Sequence, residues 1–207
     1  MKRLAIVGAA TFGQQLRHWT SRENDWTFVG FYDDFAQNTL GRTSSIVADF
    51  KAGRFDELLI GVGYKAMNFR YTIADIAMSS GIPLSTYIHP LAYVDSTAKI
   101  GQGCVILPGV TIDQYVKLDA NIFVSIGSSI SHDTSIGASC YISPHTVVCG
   151  KCVIGQRCFL GAGSVVRDHM HIDSDLSIGC GAVVVNDLYR ANGRVYIGIP
   201  AHPLEKT

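Results

Sequence analysis

His132 and Asp133 place an imidazole directly beside a carboxylate. Imidazole titrates near neutral pH, so it can take up a proton from a reacting group. A carboxylate bound to one ring nitrogen keeps that nitrogen protonated and raises the basicity of the other, as the orienting acid does in hydrolase triads. The pair could therefore act as a general base, provided that the fold brings both side chains to the same surface.

The same pair also has a purely structural interpretation. Neighbouring residues on an extended strand point to opposite sides, so His132 and Asp133 can cooperate only at a bend or through another subunit. Lys151 follows Asp133 by eighteen residues. Asp133 could instead form a surface ion pair with Lys151, worth about 0 to 1 kcal/mol. The residues alone leave both interpretations open.

An aliphatic residue occupies every sixth position from Val94 to Val184, which makes fifteen complete repeats. The position four residues after each of them carries no charge. A period of six fits neither an α-helix, at about 3.6 residues per turn, nor a coiled-coil seam. It is typical of a hexapeptide parallel β-helix, and the fifteen repeats predict about five triangular coils of about eighteen residues each. His132 then lies in an outward slot of its repeat.

The repeat also assigns the cysteines. Four occupy the small inward position and are predicted to be core thiols: Cys104, Cys140, Cys152 and Cys158. Cys149 and Cys152 form a C-x-x-C pair, but they fall in different slots of the repeat and are poorly placed to share a metal. We therefore expect neither a metal site nor a redox site.

The first ninety residues alternate predicted strands with predicted helices, which indicates a small parallel sheet. Pro90 marks the expected boundary between a domain of residues 1–90 and one of residues 91–207. Side chains that bind ligands in such sheets gather at the carboxyl ends of strands, here the turn Gly8–Gly13 and the pair Asp33 and Asp34. The turn, GAATFG, matches neither a dinucleotide nor a P-loop motif, and the two acids could equally be a solvated strand end or a helix cap.

Lys plus Arg and Asp plus Glu both number 17, for a net charge of zero. Such a balance provides no electrostatic footprint for nucleic acid or for an anionic membrane. No apolar run approaches the roughly 20 residues of a spanning helix. The start, MKRLAIVGAATFG, fits a strand and turn better than a signal peptide, so we expect a cytoplasmic protein.

Taken together, the chain resembles the bacterial hexapeptide-repeat sugar acyltransferases that carry an N-terminal Rossmann-like domain. This family includes sialic acid O-acetyltransferases and N-acetyltransferases of nucleotide-linked 4-amino sugars. The resemblance covers the whole chain and rests on the glycine turn, YDDF, GVGYKAMNFR, IHPLAYV, the hexads, and IGCGAVVVNDL followed by YIGIPA.

The resemblance implies an α/β N-terminal domain that binds a sugar or nucleotide-sugar, followed by a left-handed parallel β-helix. It implies a homotrimer that uses acetyl-CoA, held between neighbouring solenoids, to acetylate an amino or hydroxyl group for surface glycan synthesis. His132 would be the general base and Asp133 its partner. The residues implied to line the CoA groove are Tyr141, Gly150, Ala162 and Cys180. The residues implied to hold the nucleotide are Ala10, Thr11, Phe12, Asp33 and Asp34.

Two further classes of function remain open. The same solenoid supports zinc enzymes of the gamma-carbonic-anhydrase type, although the outward histidines His132, His145, His169 and His171 fall in different slots and lack paired spacing. A non-catalytic trimeric binding module is the other alternative. It is suggested by TFG at 11–13, where relatives often have Gly-His-Gly, and by His202, where relatives often have Lys or Arg.

Overall fold

A computed structural model describes residues 1–192 and 194–204. The chain divides into two compact units, Met1–Tyr87 and Ile88–Thr207. The division lies close to Pro90, a few residues before the predicted boundary. Residues 205–207 of the predicted C-terminal domain lie outside the described part.

The N-terminal unit alternates strands and helices. Its elements are β1 (Lys2–Val7), α1 (Thr11–Thr20), β2 (Trp26–Tyr32), α2 (Ile46–Lys51), β3 (Glu57–Ile60) and α3 (Met67–Ser79), with short 3-10 helices at Thr43–Ser45 and Tyr64–Ala66. The strands form a parallel sheet in the order β2-β1-β3. Val7 pairs with both Tyr32 and Ile60, so the carboxyl ends of all three strands meet at one edge.

From Ile88 onward the chain is a parallel β-solenoid of about six turns. Face 1 contains β4 (Tyr87–Ile88), β7 (Val105–Ile106), β10 (Phe123–Val124), β13 (Tyr141–Ile142), β16 (Phe159–Leu160), β19 (Ser177–Ile178), β21 (Val195–Ile197) and the antiparallel β22 (His202–Pro203). Face 2 contains β5 (Tyr93–Val94), β8 (Thr111–Ile112), β11 (Ser129–Ile130), β14 (Val147–Val148), β17 (Val165–Val166) and β20 (Val183–Val184). Face 3 contains β6 (Lys99–Ile100), β9 (Lys117–Leu118), β12 (Ser135–Ile136), β15 (Val153–Ile154) and β18 (His171–Ile172).

The solenoid is longer than the predicted five coils. Strands β4 and β21 join face 1 beyond the two ends of the uninterrupted repeat. Because the prediction counted only complete aliphatic hexads, it omitted these flanking segments.

The interior is a stack of aliphatic side chains, as the repeat predicts. Ile106, Val124, Ile142 and Leu160 lie one above another on face 1, and all are fully buried. Burial of apolar surface at about 25 cal/mol per Å² makes this stack the main source of stability. The four cysteines predicted to be core thiols are also fully buried.

Successive faces meet at edges that repeat from turn to turn. Edge 2–3, between faces 2 and 3, contains Gln114–Tyr115, His132–Asp133, Gly150–Lys151 and Asp168–His169. Edge 1–2 contains Ile126–Gly127, Pro144–His145, Ala162–Gly163 and Cys180–Gly181. Edge 3–1 contains Asn121, Ser139, Arg157 and Asp175. The second residue of each pair has left-handed φ, about 60°, and this conformation turns the chain from one face to the next.

Candidate active site

The His132–Asp133 pair lies on edge 2–3, between β11 and β12. Asp133 has φ 59°, so the chain bends at this residue and the two side chains reach the same surface. The Nδ1 atom of His132 lies 2.9 Å from Oδ2 of Asp133. Both side chains are about half exposed, at 50% and 48%. The chain therefore has the bend that the two side chains need in order to act together.

The alternative partner of Asp133 was Lys151. Lys151 follows Gly150 on the next turn of the same edge, where its backbone N–H donates to the carbonyl of His132. Among the described residues, the ion pair formed by Asp133 is with His132 and none joins it to Lys151. The geometry therefore favours a paired imidazole and carboxylate over a bridge between turns.

The imidazole of His132 stands directly over Gly150. A Cβ atom added to Gly150 would lie 2.7 Å from Nε2 and 2.8 Å from Cε1 of His132. Since any larger residue would displace the ring, glycine at this position keeps the imidazole close to the backbone of the next turn. With Nδ1 donating to Asp133, Nε2 is the nitrogen that can accept a proton.

The four residues implied to line a CoA groove do not share one surface of a single chain. Gly150 lies on edge 2–3, beside His132. Ala162 and Cys180 lie on edge 1–2, one turn apart, where the N–H of Gly181 donates to the carbonyl of Ala162 at 2.9 Å. Tyr141 lies on face 1. The triangular cross-section separates these positions because each edge is followed by a full face.

Tyr141 belongs to a ladder of aromatic side chains on face 1. Its ring centroid lies 4.6 Å from that of Phe123 and 6.0 Å from that of Phe159. Register pairs all three residues on adjacent strands. The three residues are one predicted coil apart from each other, so the repeat and the residue types together indicate this ladder.

Edge 1–2 carries a second exposed histidine. His145 has φ 56° and packs its ring against Gly127 of the previous turn, where an added Cβ would lie 2.5 Å from Cε1 of His145. Its sequence neighbours are Pro144 and Thr146, so no carboxylate adjoins it along the chain. Among the described residues, its ring makes no hydrogen bond or ion pair.

A cavity of about 250 Å³ opens at the carboxyl edge of the N-terminal sheet. Four of the five predicted nucleotide residues line it: Ala10, Phe12, Asp33 and Asp34. Thr11 lies outside this lining, over a separate shallow depression beside His18 and Trp19. Thr11 begins α1, and successive residues of a helix point in different directions.

Asp33 holds the cavity wall together. Its Oδ2 accepts a hydrogen bond from the Ala9 N–H at 2.8 Å, and its Oδ1 accepts from the N–H groups of Phe35 and Ala36 at 2.9 Å. Burial raises the pKa of Asp33, but these three backbone donors outweigh it and lower the pKa below its ordinary value. This carboxylate stays ionised and ties the turn after β1 to the end of β2.

Asp34 has a similar structural role. Its Oδ1 accepts from the Thr43 N–H at 2.9 Å, and its Oδ2 accepts from the Thr43 hydroxyl at 2.8 Å. Both acids are thus bonded within their own chain, as the structural interpretation of a strand end requires. Ionised carboxylates have further acceptor capacity, so these bonds leave room for a ligand donor.

Aromatic rings are the feature of the cavity that the sequence did not reveal. Tyr32, Phe35 and Phe69 join Phe12 in its lining, and Phe35 is 97% exposed. An exposed phenylalanine beside two acids is the signal that could have marked Phe35. Phe69 follows the distant strand β3, so only the tertiary structure brings it here.

Gly8 and Gly61 line the cavity, and Gly13 packs against both of them. A Cβ on Gly13 would lie 1.8 Å from the carbonyl oxygen of Gly8, and a Cβ on Gly61 would lie 2.7 Å from Cα of Gly13. Gly8 itself has φ 93°. The glycine turn is therefore required by close backbone packing between β1, α1 and the residue after β3, whatever ligand the cavity takes.

The described residues contain neither a metal-binding cluster nor a helix that could span a membrane. In residues 1–192 and 194–204, no group of three or more His, Cys, Asp and Glu side chains is placed to hold a metal ion. Over the same ranges, none of the helices has the length and apolar character needed to cross a bilayer.

Comparison with known proteins gives one family match and several similar structures. The family model described as the GMPPB C-terminal domain matches residues 88–187, slightly less than half of the chain. No curated protein matches the chain.

Solved structures match over nearly the whole chain. The acetyltransferase domain of PglB from Neisseria gonorrhoeae is 27% identical, with a TM-score of 0.86 over 99% of this chain and 100% of that one. The same domain has been solved with acetyl coenzyme A. PerB from Caulobacter crescentus, solved with CoA and GDP-perosamine, is 25% identical, with a TM-score of 0.86 over 97% of this chain and 96% of that one.

A variant of GDP-perosamine N-acetyltransferase from Caulobacter crescentus is 23% identical, with a TM-score of 0.89 over 100% of this chain and 98% of that one. At this identity the likeness concerns the fold. The structural neighbours of the chain are thus sugar acetyltransferases built on the same solenoid.

Proposed function

We propose that this protein transfers the acetyl group of acetyl-CoA to the amino group of a nucleotide-linked sugar for surface glycan synthesis. In this proposal it is a cytoplasmic homotrimer. A Rossmann-like N-terminal domain holds the nucleotide, and a left-handed solenoid carries the chemistry. The crystal ligands of PerB, CoA and GDP-perosamine, support a nucleotide-linked amino sugar as the acceptor. A sugar hydroxyl is the second candidate acceptor, because it requires the same base.

The observation that carries the proposal is the paired geometry of His132 and Asp133. A half-exposed imidazole on a solenoid edge is held at Nδ1 by a carboxylate at 2.9 Å. The Asp133 oxygen fixes the tautomer in which Nδ1 carries the proton, which leaves Nε2 as acceptor. The two features act together on this one ring, because the carboxylate sets its tautomer and the glycine lets the ring lie close to the backbone.

The chemistry follows from that tautomer. The acceptor nitrogen attacks the thioester carbonyl carbon, and Nε2 of His132 takes the proton that the nitrogen loses as the new C–N bond forms. Asp133 stabilises the resulting imidazolium. The tetrahedral intermediate then collapses, the C–S bond breaks, and the imidazolium returns the proton to the departing CoA thiolate.

A trimer would account for the separated groove residues. Gly150 and His132 lie on edge 2–3, whereas Ala162 and Cys180 lie on edge 1–2. If edge 2–3 of one chain faces edge 1–2 of its neighbour, the two sets line one groove. Acetyl-CoA bound there would be held beside the base, and holding both reactants in place makes the reaction effectively unimolecular.

The N-terminal cavity is the proposed nucleotide site. Phe12, Phe35 and Phe69 offer ring faces on which a base can stack, and Asp34 offers acceptor oxygens to a hydroxyl or an amine. Stacking of a base on an aromatic ring is worth about 1 to 3 kcal/mol. The aromatic rings thus supply affinity where the Gly-His-Gly of relatives is replaced by TFG.

The test is product analysis. The protein is incubated with acetyl-CoA and a panel of nucleotide-linked amino sugars, each paired with its 4-hydroxy analogue, and products are identified by mass spectrometry. We expect acetylation of the amino sugars that resists mild alkali, because an amide survives treatment that cleaves an ester. Acetylation of only the hydroxy analogues would replace N-transfer by O-transfer. Absence of any acetylated product, together with no binding of acetyl-CoA in calorimetry, would favour a binding module.

A further inference from the structure

A second hollow lies on the outer surface of face 3, next to the proposed base. It has a volume of about 290 Å³ and is lined by Thr97, Lys99, Tyr115, Lys117, Asp133 and Ser135. Asp133 connects the hollow to His132, whose Nδ1 lies 2.9 Å from the Asp133 carboxylate. Any group held in this hollow therefore lies beside Asp133, whose carboxylate is bonded to the imidazole of His132.

The two lysines of the hollow are directly opposite each other. Lys99 and Lys117 occupy paired positions on β6 and β9, and Ser135 is the next residue in the same column. Like charges on paired strand positions repel each other. Among the described residues neither ammonium forms an ion pair.

The lining of the hollow holds one acid against two lysines. Asp133 lines the hollow, but its Oδ2 is bonded to His132. Asp119 follows Lys117 on the same outward side of the strand and forms no ion pair within the described residues. The hydroxyl groups of Tyr115 and Ser135 add neutral donors to the same wall. The lining thus holds two ammonium groups, one carboxylate and the hydroxyls of Thr97, Tyr115 and Ser135, and its excess of positive charge suits an oxyanion with several acceptor oxygens.

From this arrangement we infer a phosphate-binding subsite at Lys99 and Lys117, which takes a phosphate group of one of the two substrates and positions that substrate beside His132. The inference rests on the proposed function and deepens it. Lysine acts toward phosphate as a point charge, so two lysines in register favour a diphosphate over a single carboxylate. The diphosphate is either that of the nucleotide-linked acceptor or that of CoA.

The first experiment measures binding without turnover. Inorganic pyrophosphate is titrated into the full-length protein by calorimetry, at constant ionic strength. Lys99→Gln and Lys117→Gln are each expected to raise the Kd about tenfold, because a hydrogen bond to a charged group contributes on the order of a tenfold factor. Lys117→Arg, which keeps the charge, should stay within about threefold of the wild type. Lys51→Gln removes an exposed lysine at the end of α2 in the other unit and serves as the matched control.

The second experiment identifies the source of the phosphate. In steady-state assays, Lys99→Gln and Lys117→Gln should lower kcat/KM about tenfold, through a rise in KM for the substrate whose phosphate the subsite holds. A rise in KM for the acceptor assigns the acceptor diphosphate. A rise in KM for acetyl-CoA assigns the CoA diphosphate.

The outcomes separate the two proposals. If the wild type does not bind pyrophosphate, or if both glutamine variants bind it as tightly as the wild type, the subsite does not exist, whatever the protein acetylates. If lysine-dependent binding is present but no sugar is acetylated, the anion site stands and the transferase proposal fails. Circular dichroism of each variant checks that the solenoid is intact.

Discussion

Two edges of the solenoid carry the same structural element, an exposed histidine packed on a glycine of an adjacent turn. On edge 2–3, His132 lies over Gly150, and Asp133 holds its Nδ1. On edge 1–2, His145 lies against Gly127, and its sequence neighbours are Pro144 and Thr146. Both edges therefore share the packing of histidine on glycine, but the sequence neighbours of His145 include no carboxylate.

In the proposed function, this difference separates a general base from a surface imidazole. Every edge presents side chains to solvent, and glycine one turn away lets an imidazole approach the backbone. In the proposed mechanism Asp133 distinguishes His132, because Asp133 lies at the left-handed position, with φ 59°, and its carboxylate is bonded to Nδ1 of its neighbour. His145 itself occupies the left-handed position of its edge, so no following residue can play that role.

The largest expected effect separates the two histidines. His132→Ala should lower kcat at least about a hundredfold, the usual contribution of a general base, whereas His145→Ala should lower it less than tenfold. Steady-state kinetics with acetyl-CoA and a nucleotide-linked amino sugar measures both. Equal losses in the two variants would remove the functional distinction between the edges.

The contribution of the Asp133 carboxylate to activity can be tested with a substitution that preserves the backbone conformation. Asp133→Asn should lower kcat about tenfold and leave the unfolding temperature unchanged, because asparagine tolerates the left-handed conformation well but cannot stabilise an imidazolium. Comparison of its kcat with that of His132→Ala shows how much of the contribution of His132 depends on Asp133. Full activity in Asp133→Asn would indicate that the imidazole acts alone.

Substitution of the two glycines should change different properties, kcat in the case of Gly150 and stability in the case of Gly127. Gly150→Ala should lower kcat about tenfold with little change in stability, because the new Cβ displaces the exposed His132 ring. Gly127→Ala should cost about 1 kcal/mol of stability, since Gly127 has φ 64°. We expect it to leave kcat within threefold. Thermal unfolding and kinetics on both variants test the contrast, which would be lost if Gly150→Ala kept full activity.

Edge 3–1 serves as a structural reference, and we expect a substitution there to have the smallest effect of the set. Arg157 donates to both oxygens of Asp175, at 2.6 and 2.9 Å, and the Arg157 hydrogen bond lowers the pKa of Asp175. The stabilisation is therefore present above the unfolded pKa of about 3.9 and is lost as pH falls through the lower folded pKa. Asp175→Asn should cost about 1 kcal/mol at neutral pH, and much less near the folded pKa.

That expectation is checked by thermal unfolding of wild type and Asp175→Asn at pH 7 and at successively lower pH values through the acid range. The two midpoints should differ at neutral pH and converge in acid. Kinetic constants at pH 7 should not change. A difference that persisted at low pH would mean that the carboxylate stabilises the edge by packing and not by charge.

Much of the solenoid could be predicted from the sequence. The six-residue period assigns Ile106, Val124 and Ile142 to the interior, and it places His132 outside, because each hexad supplies one strand and one corner. It missed the flanking turns at β4 and β21, whose sequences lack complete aliphatic hexads. It places Gly150 and Ala162, which are two hexads apart, on different edges, but it does not show which edges of separate chains would face each other.

The N-terminal cavity was less predictable. The turn Gly8–Gly13 and the two acids were expected at the carboxyl edge, and most of them do line a cavity there. Yet the oxygens of Asp33 bind three N–H groups of their own chain, and Phe69 arrives from a helix far along the sequence. Side-chain partners across such distances depend on how strands and helices pack, which local patterns do not encode.

The sequence by itself determined the period, the inward and outward slots, and the presence of an acid next to His132, because each follows from residue type and spacing. The predicted coil length already stacks Lys99 with Lys117, whereas only the tertiary structure decided that Asp133 sits at a left-handed bend and bonds Nδ1, and that the His132 ring lies over Gly150. The physical reason is that contacts between turns join residues about eighteen positions apart, and their geometry is fixed by the closure of the coil rather than by any neighbour in the chain.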